Sequence, residues 1–123
     1  MLEYNYKENE ADLVGDLYYR LREEGVFPRL EVWLPSLITK SRRIRADLGV
    51  IKEGCLVAVV EAKRGKNLHG AKSAIGAARR YRESLQERAY ESFERNTGVP
   101  VLWLRGRRDL QPVIIKIKEL ISV

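Results

Sequence analysis

The chain has 123 residues, of which 45% are apolar and 33% charged, with a formal net charge of +6. That length supports one core and one domain over residues 1–123, with no room for a separate recognition domain. No apolar run reaches transmembrane length, and the single Cys55 excludes an internal disulfide and any multi-cysteine zinc site.

The first segment, "MLEYNYKENE", is polar and acidic and lacks the basic-then-apolar layout of a signal peptide, so a cytoplasmic protein with no membrane partner is expected. Leu13, Leu17, Tyr18 and Leu21 recur at helical spacing and predict a helix over roughly 9–24. Asn9 with Asp12 three residues on resembles an N-cap with an acidic N3 position, and Gly25 supplies the stop. In "PRLEVWLP", residues 28–35, Leu30, Val32 and Leu34 alternate with Glu31 and Trp33, which predicts a strand. Residues 36–45 read as a basic loop or an irregular extension of a strand.

Two further strands follow, "ADLGVI" and "CLVAVVEAK", joined by a hairpin turn at Lys52–Cys55. The second is apolar from Leu56 to Val60, which predicts a central strand buried on both faces. Residues 64–70 read as a loop. A helix is expected from Ala71 to about Arg95, packed on the sheet through Ala71, Ala74, Ala78, Tyr81, Leu85 and Ala89. Asn96-Thr97-Gly98 ends it, and "VPVLWLRG", residues 99–106, is another buried strand. Asp109 is placed to cap a last helix over 110–121, although the alternation of Val113, Ile115 and Ile117 also fits a strand.

The order is α-β-β-β-α-β-α. The first three strands form an antiparallel meander, and the helix joining the third to the fourth makes those two parallel and adjacent or nearly so. The fold class is α/β, with a mixed central sheet and helices on both faces. Within it, Glu61 and Lys63 share one strand face. The hairpin brings Asp47 alongside them. Two acids and an amine in one small space suit a divalent metal held against a phosphate. Basic residues flank the place on both sides, with Lys40, Arg42, Arg43 and Arg45 before Asp47, and Arg64 and Lys66 after Lys63. Such a distribution favours a polyanionic partner, because cationic side chains displace counterions from a phosphate backbone.

This order, with an acid on the second strand and E-x-K closing the third, resembles the PD-(D/E)XK nuclease superfamily. The motif stands here as Ala46-Asp47, thirteen residues, then Glu61-Ala62-Lys63. The pattern is most similar to restriction-subunit nuclease domains and archaeal-type Holliday junction resolvases, and it spans roughly residues 8–106. The resemblance implies a restriction-endonuclease-like α-β-β-β-α-β core and a Mg²⁺-dependent DNA endonuclease, Mn²⁺ being a substitute. It implies Asp47 and Glu61 as metal ligands, with the Ala62 backbone carbonyl as a third, and Lys63 assisting the attacking water or the transition state. It also implies a first-helix acid near the metal: Glu10, with Glu8, Asp12 and Asp16 in competition. Arg42, Arg43, Arg45, Arg64 and Lys66 become candidate phosphate contacts, and cutting two strands calls for a homodimer. Ala46 replaces the motif's proline. Some subgroups carry a glutamine four residues before a helix tyrosine; taken at Tyr81 that position is Ala77, so the glutamine's role does not carry over. Trp33 and Trp103 read as core or interface anchors, and His69 as a loop histidine. Two other readings stand beside the nuclease: a catalytically silent DNA-binding module of the same fold, and a basic interaction subunit unrelated to nucleic acid.

Overall fold

The fold is described from a computed structural model over residues 2–3, 7–34, 44–63 and 74–122, apart from the side chains of residues 75, 76, 79 and 80. The chain folds as α1 (Glu10–Glu23), β1 (Phe27–Leu34), β2 (Ile44–Lys52), β3 (Cys55–Ala62), α2 (Ala74–Thr97), β4 (Val101–Leu104), a short 3₁₀ turn (Arg107–Asp109) and α3 (Leu110–Ile121). This is an α/β protein with one four-stranded mixed sheet in the order β1-β2-β3-β4. β1, β2 and β3 form the expected antiparallel meander, and β4 runs parallel to β3. Among the described residues no helix is long and apolar enough to cross a membrane.

The local chemistry explains the element ends. Asn9 and Asp12 form a complete capping box at the start of α1: each side chain accepts the other's backbone N–H at 2.9 Å. Gly25 closes the helix at φ 78°, a left-handed conformation that glycine adopts without steric cost. The β2–β3 turn has φ 51° at Glu53 and 78° at Gly54, the positive pair that a type I′ hairpin requires. The C-terminal segment is helix rather than strand, with Val113, Ile114 and Ile117 buried on one face. Asp109 does not cap it as expected. Its backbone is already helical, and its carboxylate instead accepts the Arg105 N–H at 2.8 Å.

The core has two layers, one on each face of the sheet. On one face Leu13, Leu17 and Leu21 of α1 and Ile114 and Ile117 of α3 pack over Leu48, Val50, Ala58 and Val60. On the other, Tyr90 and Phe93 of α2 pack with Leu34, Ala46, Val59 and Val101. The alanine stripe of α2 is not its packing face: Ala74 and Ala78 are exposed, and Tyr81 is 68% exposed. The sheet contact belongs to the bulky pair near the C-terminal end, because two large side chains bury far more apolar area than a row of methyl groups. Trp33 is exposed, so of the two expected roles, core or interface anchor, it does not fill the core one, whereas Trp103 packs against the α2-side layer.

Candidate active site

β2 breaks its alternation at Asp47. Ala46 is buried in the layer under α2, and Leu48, two residues on, is buried under α1 and α3. A regular strand would keep both on one face. Opposite this point β1 carries Glu31 at φ 53°, and the regular pairing of β1 with β2 runs from Leu30↔Leu48 to Val32↔Ala46 without joining Glu31 to Asp47. Positive φ is uncommon for a residue with a Cβ. The irregularity turns Asp47 away from an ordinary strand position.

The pairing of β2 with β3 ends nearby, at Leu48↔Val60. Beyond it, side chains take over the hydrogen bonding. The Asp47 carboxylate accepts the Ala62 N–H at 2.8 Å, and Glu61 Oε2 accepts the Asp47 N–H at 3.3 Å. In an extended strand a residue's N–H and C=O point to the same side, so the Ala62 carbonyl faces Asp47 too. Asp47, Glu61 and that carbonyl therefore converge where two strands part.

Tyr90 reaches the same place from α2. Its hydroxyl lies 2.5 Å from Glu61 Oε2 and 3.0 Å from the Arg45 carbonyl oxygen. A phenol has one hydrogen and cannot donate it to both. Tyr90 donates to Glu61 Oε2 at the shorter distance, with the Arg45 carbonyl oxygen as the alternative acceptor. Burial, then the adjoining Asp47 carboxyl group, push the Glu61 carboxyl up from 4.5 to about 8, against the opposing Tyr90 hydrogen bond. The same burial, with Glu61 beside it, raises the Tyr90 phenol.

Lys63 shares the Glu61 face but not its carboxylate. Its Nζ lies 2.5 Å from Glu87 Oε1, and this is the only ion pair of Lys63 among the described residues. The Glu87 carboxyl is correspondingly held below the usual range, chiefly by that hydrogen bond. The expected grouping of two acids and an amine is thus two acids together, with the amine on their flank and held by a third acid from α2.

Glu10 lines a cleft of about 440 Å³ together with Ala11, Val14, Gly15, Leu30, Glu31 and Asp47. Its competitors serve elsewhere. Asp12 caps α1, and Glu8 and Asp16 both receive Arg107, the Asp16 contact at 2.8 Å. Arg45 is half-exposed, 3.8 Å from Glu31 and 5.7 Å from the Trp33 ring centre. Arg42, Arg43, Arg64, Lys66 and His69 lie outside the described residues.

No protein-family model, curated protein or solved structure matches the chain.

Sequence reasoning missed Tyr90 and Glu87. The signal for Tyr90 was present: Tyr90 and Phe93 are the bulky apolar pair in an otherwise charged segment. The Gln-x-x-x-Tyr spacing, absent at Tyr81, also occurs at Gln86 and Tyr90. No local pattern marks Glu87, one of many charges on α2.

Proposed function

We propose that the chain is a metal-dependent DNA endonuclease of the PD-(D/E)XK type, with a restriction-endonuclease-like core. The observation that carries this reading is the convergence of Asp47 and Glu61 where β2 and β3 part. Carboxylates in contact are costly unless a proton or a cation lies between them. Among the described residues no group of three or more His, Cys, Asp or Glu side chains forms a ready-made metal centre. That donor set still suits Mg²⁺, which takes hard oxygen ligands, is often held by one or two carboxylates, and leaves its other positions to water and substrate phosphate.

Asp47 and Glu61 would hold the ion, with the Ala62 carbonyl as a further oxygen on the same side. When bound, Mg²⁺ supplies positive charge to the scissile phosphate and acidifies a coordinated water. Tyr90 fixes the Glu61 carboxyl group from α2. Lys63 donates hydrogen bonds to the phosphate oxygens as charge develops on them. Glu10 adds negative charge to the cleft that Asp47 lines. Arg45, together with Arg42, Arg43, Arg64 and Lys66, supplies the basic surroundings that a DNA backbone would meet, and a second copy of the chain would supply the cut on the other strand.

The test is incubation of labelled duplex, nicked, single-stranded and four-way-junction DNA with Mg²⁺, Mn²⁺ or EDTA. Cleavage of at least one substrate with metal and none with EDTA is expected. Cleavage that persists in EDTA would defeat the metal assignment. Salt-sensitive binding without any cleavage would favour the silent DNA-binding module, and binding insensitive to salt would favour a partner other than nucleic acid.

A further inference from the structure

Glu61 and Lys63 lie two residues apart at the end of β3 and share a strand face. Glu87 and Tyr90 lie three residues apart on α2 and share a helix face. The two pairs meet residue for residue. Tyr90 contacts Glu61 at 2.5 Å, and Glu87 contacts Lys63 at 2.5 Å. Lys63 is fixed at both ends: its backbone N–H donates to the Leu104 carbonyl of β4 at 3.0 Å, and its ammonium group meets Glu87. The aromatic face of Trp103 lies beside it, 5.9 Å from Nζ to the ring centre. The Lys63 side chain is only 21% exposed. A lysine tip on a flexible four-carbon stem reaches many positions, and here one carboxylate selects among them.

We propose that Glu87 is a positioning residue for Lys63 in the nuclease site described above, on which reading this inference rests. α2 then acts as a two-point clamp on the E-x-K pair. Tyr90 sets the carboxyl group and Glu87 sets the amine, so that neither must be ordered when substrate arrives. Pre-placed charge costs no reorganisation at the moment of reaction.

The experiment compares wild type with Glu87→Gln in two measurements. The first is the rate at which acetic anhydride acetylates Lys63, read by mass spectrometry. The second is the single-turnover rate of DNA cleavage at saturating substrate and Mg²⁺. Release of the clamp predicts several-fold faster acetylation in the variant. It also predicts cleavage slowed about 10–100-fold, the usual scale for losing a residue that orients a functional group. The melting temperature should fall only slightly, since the Glu87 carboxylate is 42% exposed and its charge is largely screened by solvent. Unchanged acetylation would overturn the proposal whatever happens to cleavage. Faster acetylation with undiminished cleavage would show that the contact does not position Lys63 for reaction. Faster acetylation in a protein whose wild type cuts no DNA would place the failure in the nuclease reading and leave the contact itself standing.

Discussion

Asp47 and Glu61 each accept a backbone N–H from the other's strand: Asp47 Oδ2 takes that of Ala62 at 2.8 Å, and Glu61 Oε2 takes that of Asp47 at 3.3 Å. The reciprocal bonds hold the two carboxyl groups together. The electrostatic cost of that pairing falls on Glu61, which is half-buried beside Asp47 and Tyr90.

The Glu61 carboxyl group makes stability depend on pH. It titrates at about 8 in the folded protein, against an ordinary value of 4.5. The folded state therefore binds the proton more tightly than the unfolded state. Its contribution is fully present below about pH 4.5, declines as pH rises, and is lost once pH passes about 8. Thermal melting of metal-free protein should show Tm falling across this window. Glu61→Gln, which cannot ionise, should flatten that part of the profile. Added Mg²⁺ should raise the wild-type Tm more at pH 8.5 than at pH 5.5. Parallel pH profiles for the two proteins would contradict the assignment.

Tyr90→Phe keeps the ring in the layer under α2 and removes the hydroxyl that meets Glu61 and Arg45. Loss of a hydrogen-bonding partner for part-buried groups should cost about 1–3 kcal/mol in denaturant unfolding. Divalent-cation affinity should fall about 10–100-fold, as when an orienting partner of a ligand is removed. Tyr81→Phe, at an exposed position, should change neither quantity.

Gly49 is a packing requirement rather than a hinge. A Cβ there would lie 2.8 Å from Val32 Cγ2 and 2.9 Å from Leu56 Cδ1. Gly49→Ala should therefore destabilise by about 1–3 kcal/mol, the usual cost of overpacking. Combined with Val32→Ala, the loss should be less than the sum of the two single losses, because the two side chains compete for one space. Additive losses in urea melts would show that the contact is not the cause.

Asn9→Ala removes one half of the α1 capping box. A loss of about 1 kcal/mol is expected, measured by chemical denaturation. Asp12→Ala in the Asn9→Ala background should add less than it costs alone, since the two groups act as a unit.

The meander was legible in the sequence because each signal was local. Alternation marked β1, Glu53-Gly54 marked the turn, and the apolar run marked β3 as an inner strand. The parallel pairing of β3 with β4 followed from the length of the helix between them. The site was legible only in part. Spacing brought Asp47 to Glu61, but the turn of Asp47 out of regular alternation depends on positive φ at Glu31, which glutamate's propensities do not announce. α2 was misread because its 24 residues extend beyond its contact with the sheet. Ala74 and Ala78, which match a helical period, are exposed, and Tyr90 and Phe93 make the contact. The Lys63–Glu87 pair joins elements 24 positions apart in sequence, where no pattern of spacing selects one glutamate among several.

The central claim is that Asp47 and Glu61 form one cation-dependent site for phosphodiester cleavage. Asp47→Asn tests it most directly, since the amide keeps the side chain's size and removes its charge. Initial cleavage rates of wild type and variant, on the DNA that wild type cuts best and at saturating Mg²⁺, should differ by at least about 10²–10³-fold, the scale on which one preorganised electrostatic group acts. Rates equal within twofold, by two proteins of equal Tm, would contradict the account.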